Sequence, residues 1–78
     1  MKIKYFPESD MLTIQLARTP YTSGGAEDTS DSDVVLHFDG DERLAEIEVS
    51  NASARVDLGE VRRMLAFEEV RPTTAEAA

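Results

Sequence analysis

The segment from Asp33 to Ser50 constrains the fold most, because two strand-like runs flank Asp39-Gly40-Asp41-Glu42, a turn whose Asp-Gly pair tolerates positive φ. Placing Phe38 opposite Arg43 pairs Leu36 with Ala45 and Val34 with Ile47 on one face. The other face then joins His37 to Leu44, Val35 to Glu46 and Asp33 to Glu48. Alternate side chains of a strand point to opposite sides, so both faces are chemically consistent in this register. A slip of one residue would turn Ile47 and Val49 to solvent, and the pattern itself therefore pins the pairing.

The same two-residue period runs through the N-terminal part. From Lys2 to Tyr5, Ile3 and Tyr5 share one face and Lys2 and Lys4 the other. Phe6-Pro7-Glu8-Ser9 interrupts it, since Pro cannot donate to a ladder. From Asp10 to Ala17, Leu12, Ile14 and Leu16 then alternate with Met11, Thr13 and Gln15, which completes a hairpin. Arg18 to Ser32 is rich in Thr, Ser, Gly and Asp and reads as a long loop, with a short edge strand near Ala26.

Asp57-Leu58-Gly59-Glu60 has the form of a capping box, in which Asp57 caps the first turn and Glu60 reaches back. Leu58, Val61, Met64 and Leu65 follow at helical spacing, which predicts a helix of about ten residues with Phe67 and Val70 extending its apolar stripe. Pro72 stops it. The expected organisation is one α+β domain over residues 1–71 and a disordered tail over 72–78. Its architecture is a small antiparallel sheet of four to five strands with one C-terminal helix packed on one face. The expected core is Ile3, Tyr5, Leu12, Ile14, Leu16, Val34, Leu36, Phe38, Ile47, Val49, Leu58, Val61 and Leu65.

Composition narrows the partners. Sixteen Asp and Glu against eight Lys and Arg give a formal charge of −8, which repels nucleic-acid phosphates and anionic lipid headgroups alike. Direct nucleic-acid and membrane partners are accordingly disfavoured, and a basic protein fits the field. With no Cys, neither a disulfide nor a thiolate metal site is available. In 78 residues a chain hides only about 60–65% of its unfolded surface, so self-association, as a homodimer, is a natural remedy. The opening Met-Lys-Ile-Lys passes straight into a strand pattern without the apolar core of a signal peptide, which makes the cytoplasm the expected compartment.

The run Lys2-Ile3-x-Tyr5-x-Pro7-Glu8-x-Asp10-x-Leu12-x-Ile14-x-Leu16, then Val34-Val35-Leu36-x-Phe38-Asp39, Arg43-Leu44 and Ile47-Glu48-Val49-x-x-Ala52-Ser53, carries a resemblance. Over about residues 1–56 the chain resembles a family of short bacterial and archaeal proteins that has no assigned activity and is known as a domain of unknown function. The resemblance implies a small β-rich domain and transfers no catalytic residue. Members of that family are sometimes encoded beside small toxin-like proteins, which implies an antitoxin-like role as an alternative. The chain departs from the family pattern at Phe6, where an acidic residue is commoner, at Glu42, where Gly often sits, and in the Gly-rich 22–32 loop.

Candidate chemistry is sparse. His37 is the single His, and a metal site needs three or four converging ligands. The string Glu27-Asp28-x-x-Asp31-x-Asp33 invites a calcium reading but fails the EF-hand spacing, with Val35 at the third ligand position and no Gly after it. Asp10 is placed to accept backbone N–H groups freed by Pro7, a turn staple. Gly24-Gly25 lacks the Lys and the strand-to-helix context of a phosphate loop. No catalytic, cofactor or metal site is expected. The outer sheet face, made of Met11, Thr13, Gln15, Val35, His37, Leu44, Glu46 and Glu48, is the expected interaction surface. The leading reading is a non-enzymatic acidic interaction module that binds its own copy or a small basic protein. An antitoxin-like partner of a small basic toxin is the alternative, with Glu46, Glu48 and the 27–33 segment supplying the field. A small-molecule or metal-binding accessory subunit ranks behind both.

Overall fold

In the computed structural model, which describes residues 1–71, the chain forms six strands and two short helices. The strands are β1 (Lys2–Phe6), β2 (Met11–Gln15), β3 (Ser23–Asp28), β4 (Val34–Asp39), β5 (Leu44–Val49) and β6 (Phe67–Glu69), and the helices are α1 (Ala52–Arg55) and α2 (Leu58–Val61). The order across the single sheet is β3-β4-β5-β2-β1-β6. Every pairing is antiparallel except β1 with β6. The chain is thus α+β, with a sheet larger than expected and helices that are followed by a further strand. The expected tail at 72–78 lies outside the described residues.

The β1–β2 hairpin forms as the alternation predicts, with Ile3 opposite Ile14 and Tyr5 opposite Leu12. The expected edge strand near Ala26 is β3, exposed along all six residues. It bulges between Ser23 and Gly25, where Gly24 lies so close to the Asp39 carbonyl that a Cβ would sit 2.0 Å from its oxygen. Only glycine permits that approach.

The β4–β5 register differs from the expected one by two residues. Leu36 faces Ile47, Val34 faces Val49, Val35 faces Glu48 and His37 faces Glu46. Half of the shift comes from the turn: Asp39 N–H donates to the Arg43 carbonyl at 2.9 Å and Glu42 N–H to the Asp39 carbonyl at 3.1 Å, leaving a loop of only Gly40, Asp41 and Glu42. The other half comes from a bulge between His37 and Phe38, which sets Phe38 opposite Leu44 and leaves Ala45 as the extra residue. Two single-residue changes restore the parity, so Val34 and Leu36 still share a face with Ile47 and Val49. Positive φ falls on Glu42, at 64°, and not on the Asp39-Gly40 pair. This is the three-residue hairpin loop that ends in a left-handed residue. The buried Ala45 uses its carbonyl to accept from both Leu16 N–H (2.7 Å) and Ala17 N–H (3.0 Å), which ties β2 to the bulge.

The expected ten-residue helix is instead α2 of four residues, a tight turn through Met64 and Leu65, and then β6. Asp57 caps α2 as predicted, its Oδ1 accepting from Glu60 N–H at 3.2 Å. The reciprocal half of the box does not form, because the Glu60 carboxylate turns to Arg63 at 3.4 Å. Gly59 inside the first turn and the alternation of Phe67-Glu68-Glu69-Val70 favour the shorter helix and the added strand. Strand β6 is anchored at both ends, by Ile3 N–H to the Ala66 carbonyl at 2.9 Å and by Val70 N–H to the Tyr5 carbonyl at 2.7 Å.

The core is Ile3, Tyr5, Leu12, Val49 and Ala52, with Ile14, Ile47, Val56, Leu58, Val61, Ala66 and Phe67 packed against it. Both helices therefore cover the face carrying Tyr5, Leu12 and Val49, called the inner face below. Two expected core residues are exposed: Leu16 at 43% and Leu65 at 105% of the reference surface. Ala45 and Ala52 take the fully buried positions that small residues allow at a bulge and a helix start.

Candidate interaction surface

The outer face is built in rows by the registers. One row runs Lys4, Thr13, Glu48, Val35, Asp28 across β1, β2, β5, β4 and β3; the next runs Lys2, Gln15, Glu46, His37, Ala26. Six of the eight expected surface residues thus come together: Thr13, Gln15, Val35, His37, Glu46 and Glu48. Met11 lies one row further along, opposite Phe6.

Two of the eight need correction. Leu44 faces Phe38 and not His37, a consequence of the three-residue turn. Thr13 is only 7% exposed, because it lies between the longer Lys4 and Glu48 on the flanking strands. Its Oγ1 is buried without a hydrogen-bond partner.

His37 is directly opposite Glu46, yet its Nε2 lies 3.1 Å from Oε1 of Glu48, the diagonal neighbour. Glu46 accepts instead from the Tyr21 hydroxyl at 3.4 Å. Burial, then the Glu46 charge and hydrogen bond, push the Tyr21 phenol above its ordinary pKa. Tyr21 comes from the crossover between β2 and β3 and was not legible in the sequence as a surface contributor. Among the described residues neither Glu46 nor Glu48 pairs with a Lys or Arg. Lys2 and Lys4 share the face but sit two strands away, about 10 Å, where salt screens them.

The acidic string that invited a calcium reading is occupied by a guanidinium. Arg55 Nη2 contacts Asp31 Oδ1 at 2.7 Å and Asp33 Oδ2 at 3.2 Å, while Asn51 Nδ2 donates to Asp33 Oδ1 at 3.1 Å. The string's remaining carboxylates, Glu27 and Asp28, stand exposed on β3. Among the described residues no three His, Asp or Glu side chains gather to hold a metal.

Asp10 is a staple, but of a different joint from the one expected. With φ at 54°, its carboxylate reaches α1, where Oδ1 accepts Ser53 N–H at 3.0 Å and Oδ2 accepts the Ser53 hydroxyl at 2.6 Å. Oδ1 also accepts the Tyr5 hydroxyl at 2.7 Å, and the Asp10 carbonyl takes Ala52 N–H at 2.9 Å. Asn51, the local cap residue of α1, offers the helix no side-chain capping bond, so Asp10 caps it from the hairpin turn.

The class is therefore that of small α+β proteins built on a six-stranded, mostly antiparallel sheet with two short helices on one face. Residues 2–53 match the sequence model of the family described as "Protein of unknown function (DUF2283)", and the chain belongs to that family. No curated protein and no solved structure matches it. The match spans β1 to β5 and the start of α1, so the Asp10–Ser53 joint lies within it and β6 lies beyond it. No helix among the described residues is long and apolar enough to cross a membrane.

Proposed function

We propose that the protein is a non-catalytic interaction module whose β3–β4–β5 half receives the basic surface of another protein. The observation that carries this reading is the exposed edge strand β3, bearing Glu27 and Asp28, beside an outer face on which Glu46 and Glu48 have no Lys or Arg partner among the described residues. An open strand edge offers backbone hydrogen bonds, and the carboxylates beside it supply a matching field for Lys and Arg. The side chains with chemical potential are engaged in holding the structure: Asp10 in capping α1 and His37 in pairing with Glu48.

The test is affinity capture from a native lysate at low and moderate salt, with Glu46→Lys/Glu48→Lys as the comparison. A basic protein recovered at low salt, lost as salt rises and absent with the double variant, is the expected result. Recovery of a toxin-like protein of that kind would assign the antitoxin role to the same face. Equal capture by wild type and double variant would rule the face out.

A further inference from the structure

The large apolar side chains that the fold leaves exposed are not scattered. They are Met1, Leu16, Leu44, Met64 and Leu65, and all five lie at the same end of the sheet. The β1–β2 register, continued one step past Lys2–Gln15, brings Met1 opposite Leu16. Leu16 N–H bonds to Ala45, next to Leu44, and Leu44 faces the half-buried Phe38. On the other side Phe67 is level with Ile3, and Leu65 lies in the Met64–Phe67 turn that leads into β6, at the same end of β1. The result is one stripe, Met1–Leu16–Leu44–Phe38, crossing from β1 to β4 over about 14 Å, with the Leu65 turn at its β1 end. Single exposed apolar residues are ordinary; a line of them across four strands, continued by the Leu65 turn, marks an interface.

The two ends of the stripe differ in shape and charge. At the β1 end Leu65 projects fully into solvent near Arg63, whose exposed guanidinium makes only a solvent-exposed 3.4 Å contact with Glu60. At the β4 end a hollow of about 370 Å³ opens over Phe38, left by Gly24 and Gly25 and rimmed by Glu27 and Glu42. One end is an apolar knob with a cation, the other an apolar recess with carboxylates.

From this we infer that the stripe is a dimer interface whose occupant is a second copy of the chain, related by a two-fold axis near Leu16. Such an axis lays the stripes across each other in opposite directions, so Leu65 of each copy enters the hollow over Phe38 of the other. Arg63 then meets Glu27 and Glu42, and both contacts are made twice, as an isologous interface requires. A basic partner of the outer face does not satisfy this surface, because the stripe itself is apolar. The interface shares Glu27 with the surface proposed above, whereas Glu46 and Glu48, whose substitution tests that proposal, lie on the outer face, so the two fail distinguishably.

The measurement is sedimentation equilibrium of the full chain, with circular dichroism to establish folding. Wild type is expected to be dimeric. Leu65→Glu, at a position with no packing to lose, and Arg63→Glu are each expected to weaken the dimer by roughly tenfold or more. Arg63→Glu combined with Glu42→Arg restores a large part of it, while Met11→Glu, on another row, leaves it unchanged. A monomeric wild type at millimolar concentration overturns the inference, as does a dimer indifferent to Leu65→Glu.

Discussion

Asp10 and Ser53 are joined by a 2.6 Å hydrogen bond between a carboxylate in the first hairpin turn and a hydroxyl in α1, a link that closes a loop of most of the sheet. The Ser53 hydroxyl, followed by the Tyr5 hydroxyl, holds the Asp10 carboxyl below the ordinary Asp range. A depressed pKa means that the folded state prefers the charged form. Its contribution is present above the unfolded pKa of about 4 and is lost as the pH falls through the lower folded value. Asp10→Asn should therefore unfold at lower urea than wild type at neutral pH, and the gap should close with acidification below about pH 4. A gap that persists undiminished to the lowest accessible pH would show that the charge is not what stabilises the joint. The Tyr5 phenol, raised first by the same Asp10 bond, is expected to contribute fully below about pH 10 and to lose that contribution as pH rises through its folded value.

Thr13 carries a buried hydroxyl with no partner. Valine has nearly the same shape and no group to desolvate, so Thr13→Val should stabilise by about 1 kcal/mol in urea titration. Thr13→Ser, which keeps the hydroxyl and loses the methyl, should move the midpoint the other way. Loss of stability on Thr13→Val would mean that the hydroxyl is satisfied in solution.

Glu42 holds a left-handed conformation at φ 64° in the β4–β5 loop, where a Cβ crowds the following carbonyl. Glu42→Gly relieves that crowding and should stabilise by about 1 kcal/mol, with Gly40→Ala, at a position without positive φ, giving no comparable gain. Midpoints from thermal or urea unfolding decide between them.

Phe67 ties β6 to the core beside Ile3. It is half-buried, so Phe67→Ala should cost about 2 kcal/mol, below the range of fully buried aromatics. Hydrogen exchange provides a more local readout. The Val70 N–H, bonded to the Tyr5 carbonyl in wild type, should lose protection in the variant well before the β2–β5 ladder does.

Strand positions were legible in the sequence wherever one face is apolar and the other polar, as in Ile3, Tyr5, Leu12, Ile14 and the Val34–Phe38 run. Parity survived even where register did not. The β4–β5 turn and bulge each shift the pairing by one residue, and neither leaves a trace in an alternation of period two. The helix prediction failed at Met64 and Leu65 because a short apolar run fits either a helix or a turn leading into a strand. What decides it is the pairing of Phe67–Glu69 with β1, a contact between distant parts of the chain. The surface was read in the same way: six of its eight residues share two rows, while Leu44 moved with the shorter turn. Thr13 is covered by neighbours that the register supplies. Tyr21 entered only through the path of the crossover.

Strand β1 is flanked on one side by β2 and on the other by β6, the first strand held in place by the last among the described residues. During synthesis the hairpin can form as soon as residue 15 emerges, yet the far side of β1 stays an open ladder until residues 67 to 70 leave the ribosome. For that interval the nascent chain displays an unpaired N-terminal edge to anything nearby. In the finished protein β6 covers it, so the C-terminal segment acts as the chain's own guard against association at that edge.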